Sequence, residues 1–167
     1  MFVVVNKKTQ DKYASLMNAN PSYETKLFFH GSKNENFWSI LKNGLLLNPN
    51  AATTGKMLGL GLYFSPLAAK SLNYTSLRGT TWANGNSNIA YMAIFAVGLD
   101  PNNYYNVTTQ SMINSCHGLN WNKLQKLQPG ATYVYAHGGP GYPLRADELC
   151  IYREEQCTIR YLVELTV

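Results

Sequence analysis

Three segments of the sequence carry side chains that are able to do chemistry. One strand-like run ends in His30, a short apolar run carries Tyr63, and a third run begins with the acidic pair Asp147 and Glu148. A histidine and a carboxylate can bind hydroxyl groups and move protons, and an aromatic ring presents a face to planar groups. Whether these side chains form one site depends on the elements that position them.

Each segment also has an ordinary structural explanation. A lone histidine at the end of a strand is usually bonded to neighbouring backbone, and Tyr63 could be a core aromatic. Ser71 and Tyr74 have the spacing of one helix face, and Glu148 could be a solvated strand entry. Taken singly, the segments do not exclude these alternatives.

Hydrophobic spacing predicts the elements around these residues. Strands are predicted at 2–5, 26–30, 62–64, 89–99, 132–137, 148–152 and 158–166. Helices are predicted at 9–19, from Ser32 to a stop at Gly44, and from Ser65 through Tyr74. Strands dominate and the helices lie together in the first half, which is typical of the α+β class.

Two of the predicted helices have recognisable start signals. Ser32 and Glu35 have the spacing of a capping box, in which each side chain bonds the other residue's backbone N–H. Ser65 before Pro66 has the form of an N-cap followed by proline at the first helical position. Both signals predict a helix that begins directly after a strand.

Composition indicates a folded, single-domain protein. The chain has 167 residues, of which 46% are apolar and 14% charged, whereas disordered chains are poor in apolar residues. No apolar run reaches the roughly 20 residues of a membrane helix, and the apolar start at 1–5 is too short for a signal peptide. We therefore expect a soluble, intracellular protein of the cytoplasm or nucleus, without a membrane partner.

Cysteine, histidine and charge exclude further classes. The cysteine count of 3 is odd, no Cys-x-x-Cys pair occurs, and the histidines lack metal-ligand spacing, so we expect no disulfide framework and no metal. The net charge of +5 suits a polyanionic ligand or simply solubility. Because the basic residues are scattered, no nucleic-acid-binding stripe is visible.

The three segments together resemble the catalytic domain of the poly(ADP-ribose) polymerase family, the diphtheria-toxin-like ADP-ribosyltransferases. The resemblance covers roughly residues 27–165 and is carried by LFFHGSKNENFWSILKNGL, GKMLGLGLYFSPLAAKSLNY and ADELCIY. His30, Tyr63 and Glu148 match the family's His-Tyr-Glu triad. The resemblance implies an ADP-ribosyltransferase fold, a split β-sandwich of two small sheets with flanking helices around an NAD cleft.

The resemblance also implies which residues bind NAD as a co-substrate. They are His30, Gly31, Ser32, Asn36, Tyr63, Ser71 and Tyr74. The Gly31 backbone would bond the nicotinamide carboxamide, since glycine allows a close approach, and the Ser71 hydroxyl would add a bond. Tyr63 and Tyr74 would hold the cationic ring between two aromatic faces. His30 would bond the adenosine ribose hydroxyls.

The catalytic set implied by the resemblance is Glu148 with His30 and Tyr63. Breaking the glycosidic bond of NAD builds positive charge on the ribose, and a carboxylate bonded to the 2-hydroxyl stabilises that charge, by analogy with glycoside hydrolysis. The same carboxylate can accept the proton of an incoming nucleophile. Because the nicotinamide leaves neutral, neither an acid nor a metal is required.

The expected function is transfer of one ADP-ribose to a macromolecular acceptor by a single catalytic domain, 1–167, without regulatory helical or DNA-binding modules. In the family that the chain resembles, the loop before the glutamate strand helps to hold an acceptor ADP-ribose for chain elongation. The corresponding loop at 138–145 is short, so the resemblance favours single transfer. Leu46 and Leu60 stand where the family often has basic residues, although Lys56 is near. The preferred acceptor is protein. The alternatives are an NAD glycohydrolase, poly(ADP-ribose) synthesis, modification of nucleic acid in a toxin system, and a binding module without turnover.

Overall fold

A computed structural model describes residues 1–48 and 56–167. The helices in these residues are α1 (Lys7–Ala19), α2 (Phe37–Asn43), α3 (Ala68–Leu72), α4 (Gln110–Ser115) and α5 (Trp121–Leu127). The strands are β1 (Phe2–Val3), β2 (Glu24–Gly31), β3 (Leu62–Phe64), β4 (Ile89–Leu99), β5 (Tyr105–Val107), β6 (Tyr133–Ala136), β7 (Glu148–Ile151) and β8 (Cys157–Thr166). None of the helices in these two ranges is both long and apolar enough to cross a membrane.

The strands form two four-stranded sheets, and this confirms the predicted α+β class. The first sheet has the order β1-β8-β4-β2 and is antiparallel throughout. The second has the order β3-β7-β6-β5, in which only β5 and β6 run parallel. The apolar run at 89–99 becomes β4, which lies between β8 and β2 and is buried over most of its length.

Two apolar cores lie on the two faces of the second sheet. The core between the sheets collects side chains from both of them, including Phe28, Phe64, Phe95, Leu149 and Ile159. The core on the outer face is covered by α4 and α5 and includes Leu58, Leu119, Leu124, Cys150 and Tyr152. All four residues of β7 are therefore buried, since both of its faces are covered.

The two sheets meet where β2 and β3 end. Phe29 N–H donates to the Ser65 carbonyl over 2.9 Å, and Ser65 N–H donates back to the Phe29 carbonyl over 3.0 Å. This bridge brings the end of β2, with its histidine, beside the end of β3. The segments that carry His30 and Tyr63 are thereby joined, and the pairing of β3 with β7 adds the segment that carries Glu148.

The predicted helix starts at Ser32 and Ser65 are wrong. Ser32 accepts a hydrogen bond from Asn36 Nδ2 over 2.9 Å, a 3₁₀ turn follows at Asn34–Asn36, and α2 begins only at Phe37. Ser65 Oγ accepts from Leu67 N–H over 3.1 Å and donates to the Asp147 carbonyl over 2.9 Å. In both places the serine hydroxyl has partners other than the first turn of a helix, and the helix begins later.

The elements at 105–127 were not predicted. Both helices there are short, so hydrophobic periodicity has little length in which to emerge. Their caps are nevertheless ordinary: Thr109 Oγ1 accepts from Met112 N–H over 3.3 Å, and Asn120 Oδ1 accepts from Lys123 N–H over 3.0 Å. The start signals were thus in the sequence, and the apolar pattern behind them was too brief.

Candidate active site

His30 lies at the end of β2 with one ring nitrogen tied to β3. Its Nδ1 is 2.8 Å from the Tyr63 carbonyl oxygen, and because a carbonyl only accepts, Nδ1 carries the proton. The ring packs against Phe64 and Phe95, with centroids 5.8 and 5.9 Å away. Burial lowers the pKa of His30, although the bond to Tyr63 opposes this. The ring is therefore held neutral, with Nε2 available as an acceptor.

Tyr63 and Glu148 lie on the same face of the second sheet. Tyr63 is directly opposite Cys150 in the pairing of β3 with β7, and directly opposite residues share a face. Glu148 lies two residues before Cys150, and side chains two apart on a strand also share a face. Consistent with this, burial, and then the charges of Cys150 and Glu148, raise the pKa of Tyr63.

Glu148 is a buried carboxyl with a cation beside it. Its exposed fraction is 5%, and its Oε1 is 3.3 Å from Lys70 Nζ. Lys70 also donates to the Ala146 carbonyl over 2.9 Å, which fixes the ammonium group in place. Burial raises the pKa of Glu148, and Lys70 lowers it only in part. The site therefore holds a carboxylate with increased affinity for a proton.

Replacing Lys70 by methionine is expected to move the acid limb of the kcat/KM profile for NAD to higher pH. Catalysis by Glu148 needs the ionised carboxylate, so activity falls as the pH drops through its pKa, which burial raises above 4.5. Lys70 opposes that rise, and methionine removes the charge while it retains much of the packing. The measurement is kcat/KM for NAD across the acidic and neutral range.

Lys26→Met provides the control for this experiment. Lys26 lies on β2, is exposed, and is 3.8 Å from Glu24, so its loss removes a lysine and a surface ion pair far more weakly coupled than the buried one. The acid limb of the kcat/KM profile of Lys26→Met should coincide with that of the unmodified protein. If the acid limb of Lys70→Met stays in place or moves to lower pH, the electrostatic role of Lys70 is contradicted.

Gly31, Ser71 and Tyr74 come together at the junction of β2 and α3. A Cβ atom on Gly31 would lie 1.8 Å from the Ser71 carbonyl oxygen and 3.2 Å from Tyr74 Cβ, so only glycine permits this contact. Ser71 is buried, and no residue of 1–48 or 56–167 is hydrogen-bonded to its hydroxyl. Burial and then the charge of Glu148 raise the pKa of Tyr74, which places this tyrosine near the carboxyl.

Ser32 and Asn36 are less closely joined to the other candidates. Asn36 Nδ2 donates to Ser32 Oγ over 2.9 Å. Within the described ranges, no hydrogen bond links either residue to His30, Tyr63 or Glu148. The structure thus brings the triad, Gly31, Ser71 and Tyr74 into one region, and it leaves Ser32 and Asn36 as a local pair beside the end of β2.

Lys70 and Tyr135 were not among the predicted site residues, although Lys70 contacts Glu148 and Tyr135 contacts its neighbour Asp147. Asp147 accepts from Tyr135 OH over 2.5 Å and from Gly138 N–H over 2.8 Å. Burial raises the pKa of Asp147, but these hydrogen bonds and the nearby charges of His137 and Lys70 together lower it by more. The pKa of Asp147 is therefore below its usual value of 3.8. The sequence offered a signal for the role of Lys70, since Lys70 directly precedes the candidate residue Ser71. It offered no signal for Tyr135.

Leu46, where the resemblance predicted a basic residue, lines a cavity of about 310 Å³. The charged residues that line the same cavity are two lysines and two glutamates, Lys8, Lys12, Glu154 and Glu155. The described part of its wall therefore has no excess of positive charge that would replace the missing basic residue. In the part of the chain that the structure describes, no three His, Cys, Asp or Glu side chains gather closely enough to hold a metal ion.

The structure has two small sheets joined beside a histidine, with a tyrosine and a buried glutamate on one sheet face. The sequence model of the poly(ADP-ribose) polymerase catalytic domain matches residues 1–167. The chain belongs to this family and is an NAD-dependent ADP-ribosyltransferase.

Individual relatives agree with this assignment. The poly [ADP-ribose] polymerase-like protein 100L of Invertebrate iridescent virus 6 is 28% identical over 168 residues, which cover 99% of the chain and 84% of the viral protein. Poly [ADP-ribose] polymerase 2 of Homo sapiens is 29% identical over 159 residues, 83% of the chain but 26% of the human protein. Poly [ADP-ribose] polymerase of Drosophila melanogaster is 44% identical over 62 residues, 35% of the chain and 6% of that protein. The chain thus spans most of the viral relative and a small part of the animal ones.

Proposed function

We propose that this protein transfers a single ADP-ribose unit from NAD to a protein acceptor, with Glu148 as the catalytic base. The observation that carries the proposal is the placement of the buried Glu148 carboxyl on the same sheet face as Tyr63, 3.3 Å from Lys70. A carboxyl in this setting is able to bind a ribose hydroxyl and to accept a proton. Residues 1–167 act in this proposal as one catalytic domain, with an NAD cleft at the junction of the sheets.

The nicotinamide end of NAD fits the region around Gly31. The Ser71 carbonyl fills the space of the missing Gly31 Cβ, so the glycine lies in contact with Ser71, whose buried hydroxyl is available for a bond to the carboxamide. Tyr63 and Tyr74 supply aromatic faces for the cationic ring. These contacts orient the ring so that the bond to be broken lies towards Glu148.

The adenosine end is assigned to His30. Because Nδ1 donates to the Tyr63 carbonyl, the neutral ring offers Nε2 as an acceptor for a ribose hydroxyl. The same bond couples the histidine to the strand that carries the tyrosine. One end of the dinucleotide is thereby held in a fixed relation to the other.

The transfer step breaks one bond and forms one bond. The bond between the ribose C1 and the nicotinamide nitrogen breaks, and its electron pair leaves with the nicotinamide, which becomes neutral. Glu148 accepts a hydrogen bond from the ribose 2-hydroxyl and stabilises the positive charge that develops at C1. The acceptor oxygen or nitrogen then bonds to C1 and gives its proton to Glu148, whose raised pKa favours this transfer.

The loop at 138–145 supports transfer of one unit rather than a chain. Gly139 N–H donates to the Leu144 carbonyl over 2.9 Å, and Gly138 N–H donates to Asp147 over 2.8 Å. A short loop that is closed on itself has little length with which to hold an acceptor ADP-ribose beside Glu148. We therefore expect the protein to attach one ADP-ribose unit at each acceptor site and to add no second unit to it.

Labelled NAD incubated with the protein and a cell lysate is expected to yield protein that carries single ADP-ribose units. Protease should release the label and nuclease should not. Phosphodiesterase treatment should release AMP without phosphoribosyl-AMP, because only internal units of a chain give the latter. Glu148→Gln, run in parallel, should leave the lysate unlabelled.

Other products would decide between the alternatives. Phosphoribosyl-AMP would contradict single transfer, and release of the label by nuclease would establish a nucleic-acid acceptor. Free ADP-ribose as the main product would establish a glycohydrolase. If NAD is bound and no nicotinamide is released, the proposal is wrong and the chain is a binding module.

A further inference from the structure

The backbone at Leu58 and Gly59 is held by the hydroxyls of two tyrosines. Tyr152 OH donates to the Leu58 carbonyl. Tyr63 OH accepts from Leu58 N–H over 2.9 Å and donates to the Gly59 carbonyl over 2.7 Å. The two tyrosines therefore bond the N–H and the carbonyl of one residue, and the Tyr63 hydroxyl both accepts from and donates to the segment that precedes its own strand.

The same segment is held from a third direction by the connection between α4 and α5. Leu60 N–H donates to the Leu119 carbonyl over 2.6 Å, and a Cβ on Gly59 would lie 2.5 Å from that oxygen. Leu58 is 0% exposed and Tyr152 is 2% exposed. Among residues 1–48 and 56–167, Tyr152 supplies the only hydrogen bond to the Leu58 carbonyl, and a buried carbonyl that lost its donor would stay unpaired.

We propose that Tyr152 is a positioning residue for NAD binding, which acts on the ring of Tyr63 through Leu58. The inference rests on the proposed function, in which the Tyr63 ring contacts nicotinamide. Both partners of the Tyr63 hydroxyl belong to the backbone that Tyr152 holds, so the orientation of the ring depends on that backbone. Tyr152 itself lies in the outer core and is not among the residues that bind NAD in our proposal.

Tyr152→Phe is expected to raise KM for NAD about fivefold to tenfold, with kcat within about twofold, because loss of uniform binding changes KM alone. The dissociation constant of nicotinamide, measured by calorimetry, should rise by a similar factor. Amide exchange at 56–62, measured by mass spectrometry, should accelerate. In the double variant with Tyr63→Phe, KM should rise less than the product of the two single effects, since both hydroxyls act through one peptide.

Tyr13→Phe is the matched control. Tyr13 is 4% exposed, and its hydroxyl is 2.7 Å from Thr25 Oγ1, between α1 and β2. Both variants lose one buried hydroxyl and should lower Tm to a similar extent. Only Tyr152→Phe should change KM, nicotinamide binding and exchange at 56–62.

Two results would overturn the inference: an unchanged KM and unchanged nicotinamide binding in Tyr152→Phe, or a loss confined to kcat. Failure of the proposed catalysis looks different, since the unmodified protein would then release no nicotinamide. In that event the exchange at 56–62 and calorimetry with nicotinamide still compare Tyr152→Phe with Tyr13→Phe. Equal exchange and equal binding in the two variants would reject the positioning role.

Discussion

Glu148→Gln is expected to lower kcat for ADP-ribose transfer by about a thousandfold or more, because it removes both the charge that stabilises the ribose cation and the proton acceptor. Glutamine has nearly the shape of glutamate, so the packing of this buried position on β7 is retained. NAD binding, which depends on other side chains in our proposal, should change little. Nicotinamide release from NAD measures the first effect and calorimetry the second.

Folding of this variant should be close to that of the unmodified protein. Burial raises the pKa of Glu148, so the folded state disfavours its ionised form. A neutral glutamine removes that cost at neutral pH, and the loss of the Lys70 partner acts in the opposite direction. A change in Tm of a few degrees at most is therefore expected.

Glu164→Gln supplies the control, since Glu164 is exposed on β8. It should label acceptors at the unmodified rate. If Glu148→Gln labels them as quickly as this control does, Glu148 is not the catalytic base. A variant that loses both NAD binding and its thermal transition would instead indicate a structural role for the carboxyl.

Gly31→Ala is expected to weaken NAD binding about a hundredfold and to lower the free energy of unfolding by about 2–3 kcal/mol. A Cβ at this position would lie 1.8 Å from the Ser71 carbonyl oxygen and 2.8 Å from its carbon. Both atoms are backbone, so α3 and the end of β2 must separate. The separation would displace Ser71 and Tyr74 from the proposed nicotinamide site. Calorimetry with NAD and chemical denaturation measure the two effects.

Gly79→Ala tests the general cost of replacing a glycine. Gly79 has a φ of +85° and nothing within 4 Å of an added Cβ. Alanine there should cost about 1 kcal/mol of backbone strain and should leave NAD binding unchanged. If Gly31→Ala binds NAD as well as Gly79→Ala does, the contact between β2 and α3 is not part of the site.

Local sequence patterns predicted the strands well because strand formation here follows the burial of apolar runs. The strands at 62–64 and 89–99 begin and end where the apolar residues do. The capping box at Ser32 failed because the Asn36 amide bonds the serine hydroxyl instead. No local pattern distinguishes those two outcomes, since both use residues within one turn.

The motifs predicted the candidate residues His30, Tyr63 and Glu148, and the structure places each of them at a strand end or on a strand that the sequence indicated. Their contributions to catalysis stay predictions. What the sequence by itself determined was therefore the set of chemically capable residues and the strands that carry them, because both depend on short stretches of chain.

Only the tertiary structure decided how those residues are held. Lys70 reaches Glu148 because α3 lies beside the start of β7, and Tyr152 reaches Leu58 across a sequence separation of 94 residues. The contact of Gly31 with Ser71 likewise depends on the bridge between Phe29 and Ser65. Such contacts arise from sheet register and packing between distant segments, and these are set by the whole fold rather than by any local run of residues.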